Sequence, residues 1–289
     1  MTKKVAIVGG GPSGKSAARE LIKSGIAVTI FDREDTSGGL MRYGYPSFRM
    51  PTAVSERDQT NLSEAGVVFR TGRALGEDLT LDELSRDFDA VLLAIGAPKS
   101  RRLGIPGEDL SGVYHALAFL RAARLGKPFP IGDKVLVIGG GDTAIDAATT
   151  ALWLGAKSTT MAYHGTESGL KAQPHEVESA RGKGVSFDFG GQPTTIVEAG
   201  TGLSVTLQKA TRIQKVDCDT VIVAIGQDRD PAVFDMLGIT GNHDGTTNRP
   251  NVFITGGALY GSNRLSNAIL AGRMAANQIK ESLEIKPAP

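Results

Sequence analysis

The chain has 289 residues, of which 37 are glycine and one is cysteine, with 32 lysine and arginine residues against 31 aspartate and glutamate residues. A single cysteine excludes a disulfide framework, a cysteine-ligated zinc or iron–sulfur site and a Cys-x-x-Cys redox centre. The balanced charge argues against nucleic acid as a partner, and the apolar runs are shorter than the ~18 residues that span a bilayer. We therefore expect a cytoplasmic protein of two domains, with no metal site and no membrane segment.

The first part of the chain is typical of a strand, a glycine turn, a helix and a second strand. The apolar run 3–8 is followed by the pattern G-x-G-x-x-G, a helical pattern, and a strand at 27–31 that ends in an acid. In such a βαβ unit the N-terminus of the helix directs backbone N–H groups at a dinucleotide pyrophosphate, and the acid accepts from a ribose hydroxyl. The residues predicted to contact this cofactor are Gly9, Gly11, Pro12, Ser13, Gly14, Asp32 and Arg33.

The same order of elements returns about 130 residues later, with strands at 134–138 and 158–163. Its third turn position is Ala144, as is common where a nicotinamide nucleotide binds, and its second strand ends at Tyr163-His164 without an acid. A 2′-phosphate favours arginine and a free 2′-hydroxyl favours a carboxylate, so the choice between NADPH and NADH stays open. The predicted contacts are Gly139, Gly140, Gly141, Asp142, Thr143, Ala144 and His164.

Three further apolar runs, 90–96, 220–226 and 251–255, are typical of parallel strands that are buried on both faces. The first two end at a glycine and lead into connections rich in proline or aspartate, which we interpret as crossings between two domains. The third leads into two glycines and a final helix at 265–282. The predicted α/β architecture is therefore two Rossmann-like dinucleotide-binding domains, with residues 108–226 inserted into a domain made of 1–107 and 227–289.

These motifs together resemble the two-dinucleotide-binding-domain flavoprotein superfamily. The most specific stretch, GGLMRYGYPSFRMP at 38–51, is similar to the GGLLxYGIPxFRLP run of glutamate synthase small subunits and related NADPH:ferredoxin-type reductases. Residues 103–107 and 139–146 match the same group, so the resemblance covers nearly the whole chain. It implies that the discontinuous domain binds FAD and that the inserted domain binds NAD(P).

The resemblance also implies an activity, in which hydride passes from NADPH or NADH to the flavin N5 atom and electrons leave to a separate iron–sulfur, ferredoxin-like or synthase partner. The flavin carries this chemistry, so no catalytic side chain is assigned. The sequence does not decide the oligomeric state, and a homodimer is one possibility. The other residues implied for cofactor contact are Gly39, Leu40, Arg42, Gly96, Gly226, Gly256, Gly257, Arg264 and Leu265.

The sequence departs from the family pattern at several positions. The family's small subunit carries an N-terminal iron–sulfur domain, whereas this sequence starts at the flavin fingerprint. The arginine pair that grips the NADPH 2′-phosphate is replaced by His164 and Gly165, and the aspartate that holds the flavin ribityl chain is replaced by Gly257. The helix start at Ser262, Asn263 and Arg264 still offers N–H groups and a cation toward a flavin carbonyl.

Three alternatives remain open at this point. The chain could be a flavin enzyme that reduces a small organic substrate or O₂ directly, a non-catalytic dinucleotide-binding subunit, or a protein that binds FAD alone. A disulfide reductase of the thioredoxin reductase type is disfavoured, because Cys218 lies between two acids that raise its pKa at the expected head of a strand. Tyr43, Tyr45 and Phe48, which follow the Gly-Gly turn, either wall the flavin or pack in the core.

Overall fold

The structure is a computed structural model that describes residues 2–261 and 264–285. It divides into two compact units, which we name the first unit (Met1–Arg42, Met50–Lys99 and Gln227–Pro289) and the second unit (Tyr43–Arg49 and Ser100–Gly226). Within the described residues no helix is long and apolar enough to cross a membrane.

The chain alternates strands and helices along most of its length. The strands are β1 Lys4–Val8, β2 Ala27–Asp32, β3 Val68–Thr71, β4 Ala90–Leu93, β5 Lys99–Ser100, β6 Val113–His115, β7 Lys134–Ile138, β8 Ser158–Tyr163, β9 Val185–Phe189, β10 Gln192–Ala199, β11 Gly202–Gln208, β12 Ile213–Cys218, β13 Thr220–Val223, β14 Gln227–Asp228 and β15 Val252–Ile254. The α-helices are α1 Pro12–Ile22, α2 Leu40–Tyr43, α3 Thr52–Glu64, α4 Leu81–Asp87, α5 Ala116–Arg124, α6 Asp142–Trp153, α7 Pro174–Gly182, α8 Pro231–Leu237, α9 Gly257–Tyr260 and α10 Leu265–Ser282.

The first unit is built on a parallel five-stranded sheet in the order β15-β4-β1-β2-β3. One face packs against α1 and α10, where Ala17, Leu21 and Ile279 are fully buried. Because all strands run in one direction, the turns after β1, β4 and β15 lie at the same edge of the sheet. That edge is where the predicted flavin-binding turns meet.

The second unit has its own parallel five-stranded sheet, in the order β6-β13-β7-β8-β9. Helix α6 packs on one face of it through fully buried alanines. On the other face, an antiparallel meander of β10, β11 and β12 buries Ile196, Val205 and Leu207 against the sheet. The sequence patterns did not predict this meander.

Several predicted boundaries are wrong. The runs 90–96 and 220–226 form strands only to Leu93 and Val223, because the chain then turns through glycines with positive φ. The units divide at Lys99 rather than at 107, since the Ile196 N–H donates to the Pro106 carbonyl at 2.9 Å and ties this connection to β10. Cys218 ends β12 instead of heading a strand.

Candidate functional site

The turn after β1 is shaped so that one side of it stays open. A Cβ on Gly9, where φ is +104°, would overlap the Ala94 carbonyl, and a Cβ on Gly14 would overlap the Gly9 carbonyl. Gly11 differs, because its Cβ position meets only the Gly39 Cα, at 3.8 Å. Helix α1 begins at Pro12 without a side-chain cap, so N–H groups of its first turn stay available to a ligand. This open, uncapped turn fits a pyrophosphate.

Asp32 ends β2 and is buried, with only 7% of its surface exposed. Its Oδ2 accepts from the Gly10 N–H at 3.0 Å and its Oδ1 from the Glu34 N–H at 3.1 Å. Burial raises the pKa of Asp32, and the hydrogen bonds from these N–H groups and from Ser37 oppose that rise. A carboxylate has about four lone-pair positions, so acceptor capacity is left for a ribose hydroxyl. Arg33 is exposed and lies 3.6 Å from Glu34 Oε1.

The segment 38–42 lies beside the open turn. A Cβ on Gly39 would come within 2.9 Å of the Gly11 Cα, so the two backbones approach as closely as glycine allows. Leu40 is exposed, and the Arg42 guanidinium lies 3.2 Å from Glu56 Oε1 on α3. Gly39 thus lies beside the turn at Gly11, while contact of Gly39 and Leu40 with a bound cofactor stays a prediction.

The turn after β15 contacts the same region. A Cβ on Gly256 would lie 2.5 Å from the Ser13 Oγ, and a Cβ on Gly257 would lie 3.0 Å from the Ala97 N. An aspartate at 257 would therefore have to push the backbone of 96–97 aside. Thr255 Oγ1 is buried and has no hydrogen-bond partner among the described residues.

Three further residues of the first unit, Arg264, Leu265 and Gly96, were predicted to contact a cofactor. Arg264 is the exposed residue before α10, which begins at Leu265, while Ser262 and Asn263 lie outside the described residues. Gly96, after β4, has a φ of +77° and nothing within 4 Å of its Cβ position. Its open side is at the sheet edge shared with Gly9.

The turn after β7 in the second unit repeats this construction. A Cβ on Gly139 would overlap the Ala224 carbonyl, and Ala144 is fully buried beneath the turn. The Cβ position of Gly141 has nothing within 4 Å, and α6 begins after it without a side-chain cap. Thr143 lies in the first turn of α6, where backbone N–H groups stay available to a ligand. This is a second open turn that fits a pyrophosphate. Gly226, which was also predicted to contact a cofactor, follows β13, and its carbonyl accepts from the Arg101 N–H at 3.0 Å.

The loop after β8 folds back over this second turn. The Lys171 and Ala172 N–H groups donate to the Gly140 carbonyl at 2.9 and 3.1 Å, and the Gln173 N–H donates to Asp142 Oδ1 at 2.9 Å. The Tyr163 ring fills the space that a side chain at 140 would need, and its hydroxyl donates to the Gly169 carbonyl.

His164 and Lys171 of this loop lie on its surface. The His164 ring is exposed and lies 4.6 Å from the Tyr163 ring, between centroids, and Lys171 is exposed as well. The residue that follows β8 is thus a histidine, whereas Lys171 lies farther along the loop together with Glu167, whose carboxylate pairs with Arg181 at 2.5 Å. The choice between NADPH and NADH therefore stays open.

One feature was missed by the sequence patterns. The short segment 43–49 packs within the second unit, although it directly follows the flavin-side glycines. The Tyr43 ring lies under the Arg121 guanidinium, 4.5 Å from its carbon, and Phe48 contacts Trp153. Arg49 forms ion pairs with Asp146 on α6 and Glu176 on α7. Both Arg49 and Asp146 fall inside the stretches that carry the family resemblance, which was the available signal.

Two side chains of the second unit, Asp146 and Cys218, have strongly raised pKa values. Burial raises the pKa of Asp146 to about 6, against the opposing effect of the Arg49 guanidinium. Burial, followed by the charges of Asp219 and Asp217, raises the pKa of the Cys218 thiol to about 12. A thiol this weakly acidic is not a nucleophile at neutral pH. Within 2–261 and 264–285 no cluster of three His, Cys, Asp or Glu side chains could hold a metal ion.

Two Rossmann-like units, each with an open glycine turn at a helix N-terminus, define a two-dinucleotide oxidoreductase fold. The chain belongs to the Pyridine nucleotide-disulphide oxidoreductase family, whose sequence pattern matches residues 3–275. The predicted superfamily, the α/β fold class, the oxidoreductase activity toward NAD(P)H and the use of FAD and a nicotinamide dinucleotide are thereby confirmed. Which residues hold each cofactor stays a prediction.

Curated relatives support this family assignment. The chain is 33% identical to the glutamate synthase [NADPH] small chain of Escherichia coli, over 98% of this chain and 69% of that protein. It is 37% identical to the NADPH-Fe(3+) oxidoreductase subunit beta of Geobacter sulfurreducens, over 82% of this chain but only 39% of that subunit.

Solved structures agree on the fold. FprA of Mycobacterium tuberculosis in complex with NADPH superposes with a TM-score of 0.81 at 19% identity, covering all of this chain and 88% of FprA. Thioredoxin reductase of T. acidophilum superposes with a TM-score of 0.74 at 18% identity, covering 98% of this chain and 99% of that one.

Proposed function

We propose that the chain takes hydride from NADPH or NADH onto FAD and passes electrons to a separate iron–sulfur or ferredoxin-like protein in the cytoplasm. The observation that carries this proposal is the pair of open, uncapped glycine turns at Gly11 and Gly141, one in each unit. A chain with two such turns can hold two dinucleotides, one on each.

In this proposal the first unit holds FAD. The N–H groups after Gly11 receive the pyrophosphate, and the carboxylate of Asp32 accepts from a ribose hydroxyl. The second unit holds the nicotinamide dinucleotide on the turn 139–144, with its adenosine toward His164. Bound flavin supplies the capacity to accept a hydride and to release electrons singly, whereas the side chains bind and orient the two cofactors.

A separate protein acceptor is supported by the names of the relatives. The glutamate synthase small chain and the subunit beta of the NADPH-Fe(3+) oxidoreductase are both subunits of larger assemblies. The thiol of Cys218, the one cysteine of the sequence, is buried and has a raised pKa, which disfavours a disulfide relay within this chain. We therefore assign the next electron carrier to a partner.

The test is a comparison of acceptors. The protein, loaded with FAD and supplied with NADPH or NADH, is assayed with an oxidised ferredoxin-type iron–sulfur protein, with a quinone and with O₂ alone. We expect the iron–sulfur protein to be reduced at least about tenfold faster than O₂. Equal rates with O₂ or the quinone would instead identify an enzyme that reduces small acceptors directly. Nucleotide binding without any flavin reduction would identify a non-catalytic subunit.

A further inference from the structure

Arg49 bridges two helices of the second unit. Its Nη1 donates to Asp146 Oδ2 at 2.7 Å, and its Nη2 lies 2.9 Å from Glu176 Oε1. Asp146 lies one turn beyond the first residue of α6, and Glu176 lies in the first turn of α7. The side chain of Asp146 is only 7% exposed, so this carboxylate depends on Arg49 for its charge compensation.

The groups around this bridge are mostly acidic. Asp142 and Asp146 face it from α6, and Glu176 faces it from α7, where the His175 Nε2 lies 3.5 Å from the Glu176 Oε1. From the segment 43–49 come Arg49 itself and Tyr45, whose ring lies 5.3 Å from the guanidinium carbon. Arg49 thus places a permanent positive charge beside these three carboxylates.

The ion pairs of Arg49 follow a series of hydrogen bonds that begins at the glycine turn after β7. The Gly140 carbonyl accepts from the backbone of 171–172, and Asp142 accepts from the Gln173 N–H. The ion pair between Arg49 and Glu176 comes next along the same loop. The loop that folds over the glycine turn is therefore held at its far end by a side chain from another part of the sequence.

We propose that Arg49 is a positioning residue for the nicotinamide dinucleotide. It neutralises the carboxylates beside the N-terminus of α6, which would otherwise repel a pyrophosphate, and it holds the loop 164–176 against the turn that receives it. Arg49 acts through Asp146 and Glu176 and does not itself contact the nucleotide. The inference rests on the proposed function, in which the second unit binds that dinucleotide.

The test measures nucleotide binding by calorimetry on the full chain, with NADP⁺ and NAD⁺ as probes. At a pH of about 8.5, chosen above the raised pKa of Asp146 so that this carboxylate is ionised, Arg49→Met should raise the Kd of the preferred nucleotide by about tenfold or more, because uncompensated carboxylates then face the incoming phosphates. Arg49→Lys keeps the charge and should recover part of the affinity. Arg86→Met removes an exposed arginine of α4 that pairs with its neighbour Asp87, and it should change nothing.

The decisive variant is the double substitution Arg49→Met with Asp146→Asn. If charge compensation is the role of Arg49, removing one repelling carboxylate restores affinity toward the wild-type value, whereas a purely structural role predicts a further loss. In steady-state assays the Arg49→Met change should appear in KM and leave kcat unchanged. Thermal melts show whether each variant folds, and Arg49→Lys decides the question if Arg49→Met does not fold.

The possible failures can be told apart. If the wild-type chain binds neither NADP⁺ nor NAD⁺, the proposed function itself falls. If the wild-type chain binds a nucleotide and Arg49→Met binds it equally well, only the role of Arg49 is refuted. An affinity of the double variant below that of Arg49→Met would refute charge compensation in the same way.

Discussion

Replacing Gly11 or Gly141 by alanine should weaken binding at one cofactor site each and leave the fold intact. Both glycines have backbone angles that alanine adopts without strain, with φ of −74° at Gly11 and −107° at Gly141. The nearest atom to a Cβ is 3.8 Å away at Gly11, and none lies within 4 Å at Gly141. The protein itself therefore has room for the methyl group, and only a ligand drawn close to the backbone would meet it.

The magnitudes follow from this geometry. A strain-free glycine-to-alanine change stabilises a fold by about 0.4–1 kcal/mol through the unfolded chain, so the melting temperature should stay level or rise by about 1–4 °C. Losing one charge-assisted N–H contact to a phosphate costs about 1.5–3 kcal/mol, which weakens binding by about tenfold to a hundredfold. Gly11→Ala should lose this factor for FAD, and Gly141→Ala should lose it for NADP⁺ or NAD⁺.

The assay is a pair of titrations on each variant, one with FAD followed by flavin fluorescence and one with the nicotinamide nucleotide followed by calorimetry. Gly9→Ala serves as the contrast, because a φ of +104° and the overlap with the Ala94 carbonyl should destabilise the fold itself. FAD affinity unchanged in Gly11→Ala would refute the placement of the flavin pyrophosphate at this turn. A reversed pattern, with Gly141→Ala losing FAD, would refute the assignment of cofactors to units.

Three further predictions concern buried ionisable groups. Burial lowers the pKa of Lys15, and Arg19 also pairs with Asp58, so Lys15→Met should be neutral or stabilising in urea unfolding, whereas Asp58→Ala should cost about 1–3 kcal/mol. The pKa of Asp146 is raised to about 6, so below pH 4 its bound proton stabilises the folded state by up to about 3 kcal/mol. This contribution to the free energy of unfolding is lost as the pH rises to 6. Asp146→Asn should remove this pH dependence, as measured by urea unfolding at each pH. The Cys218 thiol should resist alkylation at pH 8 until the chain is unfolded, as read by mass spectrometry.

Each of these has a contradicting result. Strong destabilisation by Lys15→Met would show that the ammonium contributes more than its burial costs. A parallel pH dependence of wild type and Asp146→Asn between pH 4 and 6 would place the ionisation elsewhere. Rapid alkylation of folded protein at Cys218 would reopen the disulfide chemistry that the buried thiol disfavours.

The strand and helix framework could be read from the sequence where the pattern was strong. The strands 134–138 and 158–163 and the helix 265–282 have the bounds that were predicted, because the two strands flank the glycine turn and helix of a βαβ unit and the helix has a long amphipathic pattern. The meander of β10–β12 escaped prediction because its strands are half exposed, as at Val197 and Ile213, and their alternation is weak. Tertiary contact with the sheet, rather than local preference, stabilises them.

The site was predictable in its turns and unpredictable in its long-range contacts. The glycine spacing identified both turns, since a βαβ unit carries its own sequence pattern. The placement of 43–49 was not predictable, because neighbouring positions in sequence do not decide which unit a segment packs against. The bridge from Arg49 to Asp146 spans 97 residues and depends on that packing. Likewise, the crowding at Gly257 comes from the backbone of 96–97, which the local sequence does not specify.

The most direct test of the central claim is an anaerobic titration of the FAD-loaded protein with NADPH and, separately, with NADH, while the flavin absorbance is recorded. The account predicts that one of the two nucleotides bleaches the flavin with about one equivalent per bound FAD, since a hydride carries both of the electrons that reduce it. A protein that binds no FAD, or whose bound flavin stays oxidised with both nucleotides in excess, would contradict the account.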